Sequence, residues 1–244
     1  MIPCMLTLLL AIPWVSAQLG VSFSSGYDFF TGKTEIIRTE TTFTPGAMEL
    51  KPKGNLFLWP GLWVPANRTT GDLIQTVISA DSTLALECGA KKGQWCIAPY
   101  VMHGVAYADR ERRQLAIDPD AKIRIIYSKT TDGAKWVQTT LDATTGKMLQ
   151  NYTGGTGKKV QFEFSTELQY GNLGTTSTQV YEDTVITLAA PDMAFGKGKR
   201  KGSATIEGVT SEQEGKIWKI KKVVIPAMRS GVANHPATGK EIHG

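Results

Sequence analysis

The chain has no hydrophobic run long enough to cross a bilayer, which takes roughly 20 residues in a helix; the longest, from Met5 to Ile12, falls well short. Its three histidines, His103, His235 and His243, are isolated or near the C-terminus. No cluster at zinc-ligand spacing results, and a Ser-His-Asp triad would have to use His103. Nowhere does a 3.6-residue apolar period persist between caps, so helices are not expected. Charge bias is also small: 27 Lys and Arg against 22 Asp and Glu, a net +5, and no nucleic-acid partner is expected. The run Asn151 to Lys159 superficially suggests a phosphate loop. It lacks the first glycine of that motif and has Lys159 where Ser or Thr is required, so it reads as a flexible turn. No metal or organic cofactor is expected.

What is present points first to the secretory pathway. The apolar run precedes a small-residue site at Val15-Ser16-Ala17, the pattern of a signal peptide spanning residues 1–17, and an extracellular or vesicular location follows. Cleavage removes Cys4 and leaves Cys88 and Cys96, an even number in an oxidising compartment, which predicts a disulfide closing a short loop. The competing reading is a catalytic cysteine, but no histidine lies near either thiol in sequence. Asn67-Arg68-Thr69 and Asn151-Tyr152-Thr153 are glycosylation sequons in turn-like surroundings, expected on solvent-facing loops. Lys197, Lys199, Arg200 and Lys201 lie in a glycine-interrupted stretch that reads as a solvated hairpin tip, with a patch for anionic polymers as the alternative.

Strand signals fill the rest of the chain. They cover Leu56 to Trp59, Leu73 to Ser79, Trp95 to Met102, Lys122 to Tyr127, Lys135 to Leu141, Gln161 to Leu168, Thr184 to Leu188 and Ile217 to Ile225. Asp132-Gly133 and Thr145-Gly146 are hairpin turns. Pro60, directly after Trp59, predicts that its strand ends or bends there. Many short strands between glycine-rich turns imply an all-β domain over residues 18–228, a two-sheet antiparallel β-sandwich, with a single closed barrel as the alternative. The polar tail over residues 229–244 is expected to be disordered.

Alternation along strands places Gln75 on one face with Val77 and Ser79, and Glu163, Ser165 and Glu167 together on another strand. Such polar residues suit either a groove on a concave face or a solvated outer face. The tryptophans Trp59, Trp63, Trp95 and Trp136 fit either a core or the wall of a cleft.

The order Leu58-Trp59-Pro60-Gly61-Leu62, Asp72-Leu73-Ile74-Gln75-Thr76, Trp95-Cys96, Asp118-Pro119-Asp120-Ala121-Lys122-Ile123 and Glu163-Phe164-Ser165-Thr166-Glu167 resembles a family of secreted fungal sandwiches, over about residues 43–188. That family is itself similar to the glutamic peptidases, whose fold is concanavalin-like, a jelly roll with a concave-face cleft. The peptidase resemblance implies a catalytic pair at Gln75 and Glu167, with Phe164 standing where the peptidases have a tryptophan. The carboxylate would take a proton from water while the amide donates to the oxyanion.

Within the fungal group, the sequence is similar to the intermolecular hetero-Diels-Alderases of tropolone-sesquiterpenoid pathways. That resemblance implies a cofactor-independent addition of a tropolone quinone methide to a macrocyclic sesquiterpene such as humulene. Gln75 or the Tyr100 hydroxyl would donate to the tropolone oxygen, and Trp59, Trp63, Trp95, Met102 and Trp136 would wall a small apolar substrate site. A third reading, a glycan-binding or polysaccharide-lyase-like module, rests on Arg38 in Arg38-Thr39-Glu40, although Thr76-Val77 stands where those lyases place a histidine.

Overall fold

A computed structural model describes residues 22–48, 55–64, 71–80, 88–104, 107–110, 113–169, 178–227, 232–234 and 241–243. The signal segment and the Asn67 sequon lie outside the described residues. Two antiparallel sheets pack face to face, as expected for a sandwich. The larger contains β1 (Ser22–Phe30), β3 (Asn55–Trp63), β4 (Asp72–Ala80), β5 (Trp95–His103), β6 (Tyr107–Arg110), β7 (Leu115–Ile117), β11 (Gln161–Gln169), β13 (Lys199–Lys201), β16 (Val232–Asn234) and β17 (Glu241–His243). Its spatial order is β17-β16-β1-β11-β3-β4-β5-β6, with β13 on β1 and β7 on β5. The smaller holds β2 (Ile36–Thr44), β8 (Ile123–Lys129), β9 (Trp136–Asp142), β10 (Met148–Gly154), β12 (Gln179–Leu188), β14 (Thr205–Glu212) and β15 (Ile217–Ile225), in the order β10-β9-β8-β2-β12-β15-β14. Both sheets end in open edges, so the barrel alternative is not the one adopted. Among the described residues no helix is long and apolar enough to cross a membrane.

The sheets meet along the apolar face of each strand. Leu58 and Leu62 of β3, Ile74 and Ile78 of β4, and Phe162 and Phe164 of β11 face Phe43, Ile125, Tyr181, Ile186 and Ile220 of the smaller sheet. Burying each such side chain contributes about 1.5–3 kcal/mol. An aromatic chain crosses the interface: ring centroids lie 4.9 Å apart for Phe162–Phe164, 4.5 Å for Phe164–Tyr181 and 4.6 Å for Tyr181–Phe43. The two turns behave as their sequences demand, with Gly133 and Gly146 at φ 70° and 73°. Cys88 and Cys96 are joined by a disulfide.

Several expectations need correction. Strands β1, β2 and β14 carried no recognised signal. The Asn151–Lys159 run is not a flexible turn: its first four residues belong to β10, and Lys159 is fully buried, donating to the backbone oxygens of Asp72 and Thr156, both at 2.7 Å. Asn151 is exposed, but on a strand and not a loop. The basic stretch is no hairpin tip, since Lys199–Lys201 pairs with β1. In the tail, expected to be disordered, β16 and β17 add to the larger sheet.

Pro60 is the most consequential departure, because β3 runs straight through it. Proline has no N–H for the ladder. The β3–β4 register pairs Leu58 with Ile78 and Gly61 with Gln75, and between them the strands part. Tyr127 of the opposite sheet fills the gap. Its hydroxyl accepts the Thr76 N–H at 2.7 Å and donates to the Pro60 carbonyl at 2.8 Å, so both backbone groups are satisfied without the missing donor. Burial pushes the Tyr127 phenol well above its ordinary pKa, and it remains a neutral donor.

Candidate functional site

Residues directly opposite one another on antiparallel strands point to the same face. On the side of the larger sheet away from the core, successive registers align Lys199 of β13, Asp28 of β1, Glu163 of β11, Gly61 of β3, Gln75 of β4 and Tyr100 of β5 in one row. Asp28, Glu163 and Gln75 are 9%, 2% and 5% exposed, so the middle of the row is buried despite its polarity, while Lys199 at its end is exposed. Above and below it lie Trp59, Leu73 and Val77, with Phe57, Trp63, Tyr100 and Met102 packed against them.

Gly61 shapes the centre. Gln75 and Glu163 stand on either side of it, two strand spacings or about 10 Å apart at the backbone, and no side chain rises between them. A Cβ at Gly61 would press at 3.0 Å on Leu73 and on the Trp59 ring, so the gap is kept by packing as well as by composition. Trp63 Nε1 donates to Glu163 Oε2 at 3.0 Å and Gln161 Nε2 reaches the same oxygen at 3.5 Å, which fixes the carboxylate's orientation. Among the described residues no hydrogen bond reaches Gln75 Oε1 or Ser165 Oγ, although both are buried. Buried polar atoms are usually paired, and these two, an amide oxygen and a hydroxyl, lie on this face without a partner among the described residues.

From behind, the smaller sheet props up the same row. Gln138 of β9 donates to the Tyr100 carbonyl at 2.8 Å and accepts from the Thr76 hydroxyl at 3.5 Å. With Tyr127 it fixes the backbone on both sides of Gln75.

The expected residues divide into those gathered here and those that are not. Gln75, Tyr100, Trp59, Trp63 and Met102 share the face. Glu167 shares it too but pairs with Phe57, four residues or about 13 Å along the strand from the row, and its carboxylate accepts from Trp59 Nε1 at 3.1 Å. Gln75 therefore stands in register with Glu163 and not with Glu167. Trp95 and Trp136 are not cleft walls. They lie in the core at 0% and 1% exposure, their indole N–H groups donating to the carbonyls of Gly46 and Gly157. Arg38 is on β2 of the other sheet, bound to Glu40. His103 pairs with Asp72 at 2.8 Å, but on the opposite side of β4 from Gln75, and Asp72's other oxygen accepts from Thr156. Burial opposes ionisation of Asp72, yet the hydrogen bonds from His103 and Thr156 outweigh it and hold the carboxyl below its usual range.

The alternation gives Glu163 its face, but it singles out neither Glu163 nor Asp28 as a site residue. The signal that marks both is a carboxylate between two aromatics in a strand, Tyr27-Asp28-Phe29 and Phe162-Glu163-Phe164: the rings enter the core and the acid is left on the other side.

No protein-family model matches the chain, and no curated protein matches it in sequence. Solved structures do. Scytalido-glutamic peptidase with a peptide-based transition-state analogue superposes with a TM-score of 0.50 at 13% identity, over 82% of this chain and 98% of that one. A second structure of that enzyme with a transition-state analogue inhibitor gives 0.48 at 11% identity, over 82% and 98% of the two chains. SCP-B, an eqolisin-family peptidase in complex with the tripeptide Ala-Ile-His, gives 0.48 at 13% identity with the same coverage. The likeness is one of fold. It confirms the peptidase-like sandwich, while the row across Gly61 belongs to this chain's own geometry.

Proposed function

We propose that the protein is an enzyme working on the coreless face of its larger sheet, a hydrolase of glutamic-peptidase type in which Glu163 and Gln75 act on one water. A single observation carries this reading: the two side chains stand in one cross-strand row with only Gly61 between them. Glu163, oriented by Trp63, takes a proton from the water as it attacks a peptide carbonyl. The Gln75 amide oxygen, buried without a donor, accepts the water's other hydrogen, and its NH2 donates to the oxyanion that forms. Glu167 holds Trp59 in the wall. A disulfide fits an oxidising compartment, and we infer that the protein enters the secretory pathway.

The test is digestion of a neutral peptide at acid pH. Glu163→Gln should lower cleavage by about 10²–10⁴-fold, the usual worth of general base catalysis, and Glu167→Gln far less. Full activity in Glu163→Gln, or no cleavage by the parent, would sink the reading.

A second reading has its own support in the apolar wall of Phe57, Trp59, Leu73, Trp63 and Met102 around the Gln75 and Tyr100 donors. This is the surface an intermolecular hetero-Diels-Alder addition needs, holding a tropolone quinone methide against humulene while an amide or phenol polarises the heterodiene. Incubation with both partners decides it. A single-stereoisomer adduct that depends on Gln75 and Tyr100 but not on Glu163 establishes the pericyclase, and a racemic adduct at the uncatalysed rate removes it.

A further inference from the structure

A cavity opens on this face, away from the centre of the row, at its β13 end beside Asp28. It measures about 400 Å³ and is lined by Asp28 and Phe30 of β1, Gln161 of β11, and Ala194, Lys197, Gly198 and Lys199, a size typical of small-ligand sites.

Its basic wall is built to stay in place. Phe195, fully buried, sits 5.7 Å from the Phe29 ring and 6.1 Å from Trp218. Gly196 lies so close to Trp218 that a Cβ would be 2.0 Å from the ring. Gly198 has φ +44° and would bring a Cβ to 2.4 Å from Tyr27, so only glycine lets this segment close on β1. Asp192 ties the base down, its carboxylate accepting from the Thr31 hydroxyl at 2.7 Å and the Ala194 N–H at 3.0 Å. Lys197 and Lys199 therefore project from a clamped backbone. Against their two ammonium groups the cavity sets one carboxylate, Asp28, which leaves an excess of one positive charge. Beside them Phe30 is 54% exposed and adds an aromatic surface to the cavity wall.

We infer that this cavity is a carboxylate-binding subsite of the active face, in which Lys197 and Lys199 hold a singly charged acid whose apolar stem lies on Phe30. It rests on the reading that the Gln75–Glu163 face is the active one and adds a substrate class to it: molecules bearing a carboxylate about one strand beyond the reacting bond. For a peptide, the acid could be a side chain or the chain terminus.

The test is calorimetric titration of the full chain with 3-phenylpropionate and with its neutral amide. The acid should bind about tenfold more tightly, the scale of a charge-assisted contact. That preference should disappear in the Lys197→Gln/Lys199→Gln variant while its melting temperature and its affinity for the amide stay unchanged. Equal affinity for acid and amide, binding of neither, or a preference that survives the double substitution would overturn the subsite. Displacement of the acid by an amidated peptide with one glutamate, or by a glutamine peptide with a free C-terminus, identifies which carboxylate is read. Failure of both to compete overturns its role for peptides. Cleavage of a neutral peptide is scored separately, so the subsite and the catalytic row can fail independently.

Discussion

The two faces of the larger sheet are made by the same strands and are buried to nearly the same degree, yet they differ in kind. Toward the core, β3, β4 and β11 present Leu58, Leu62, Ile74, Ile78, Phe162 and Phe164. Away from it, the same strands present Gln75, Glu163 and Ser165 among Trp59, Leu73 and Val77. A sandwich needs the first face to fold. The second costs stability, because buried polar atoms without partners lose their hydration for nothing. On the function proposed above such a face is kept for what it binds, and the way to test that division is to damage each side separately.

The core side should be the more expensive. Trp136→Ala removes a fully buried indole at the edge of the interface, and urea unfolding should show a loss of about 3–5 kcal/mol. Tyr127→Phe sharpens the comparison, since a core residue serves the other face: it leaves the Thr76 N–H and Pro60 carbonyl unpaired. It should cost about 1–3 kcal/mol and also slow whichever reaction Gln75 supports.

Lys159 gives a pH-dependent test. Burial lowers its pKa from 10.5 to about 8, with Asp72 opposing the fall and Lys129 adding to it. Between those values the unfolded chain holds a proton that the folded chain has released, so stability rises with pH, by up to about 1.4 kcal/mol per unit. Below that window both states are protonated and the contribution is flat. Denaturation of the parent minus Lys159→Met, measured from neutral to alkaline pH, should show that rise. The smallest effect is expected at Gln75. Gln75→Met removes an unpaired amide and should leave stability unchanged or raise it by about 1 kcal/mol, while activity is lost. Such a rise in stability with loss of function is what a face built for binding predicts, and clear destabilisation would break the contrast between the faces.

Much of the sandwich was legible because its core strands combine period-two alternation with turn glycines, as in β8 and β9 around Asp132-Gly133. β1 was not, because Ser24, Ser25 and Gly26 dilute its pattern; losing it hid Asp28 and the whole β13 end of the row. Faces could be read, since alternation is local: Gln75 and Glu163 were placed correctly on theirs. Register could not, because it depends on which residues of two distant strands meet. A four-residue difference in position on β11 is invisible in the sequence and separates Glu163 from Glu167. Pro60 misled for the same reason. Its missing N–H is compensated by a tyrosine hydroxyl from another sheet, 67 residues away.

The row across the larger sheet runs, in space, through positions 199, 28, 163, 61, 75 and 100. The contacts that Glu163 makes with β1 and β3 join residues far apart in sequence and carry the larger loop-closure cost. In sequence order the hairpin of β3 and β4, with Trp59, Trp63 and Gln75, precedes β11, which sets Glu163 beside them. A chain cut short before that strand holds Trp59, Trp63 and Gln75 but lacks Glu163. Glu163 thus joins the row only once the chain has been made through β11.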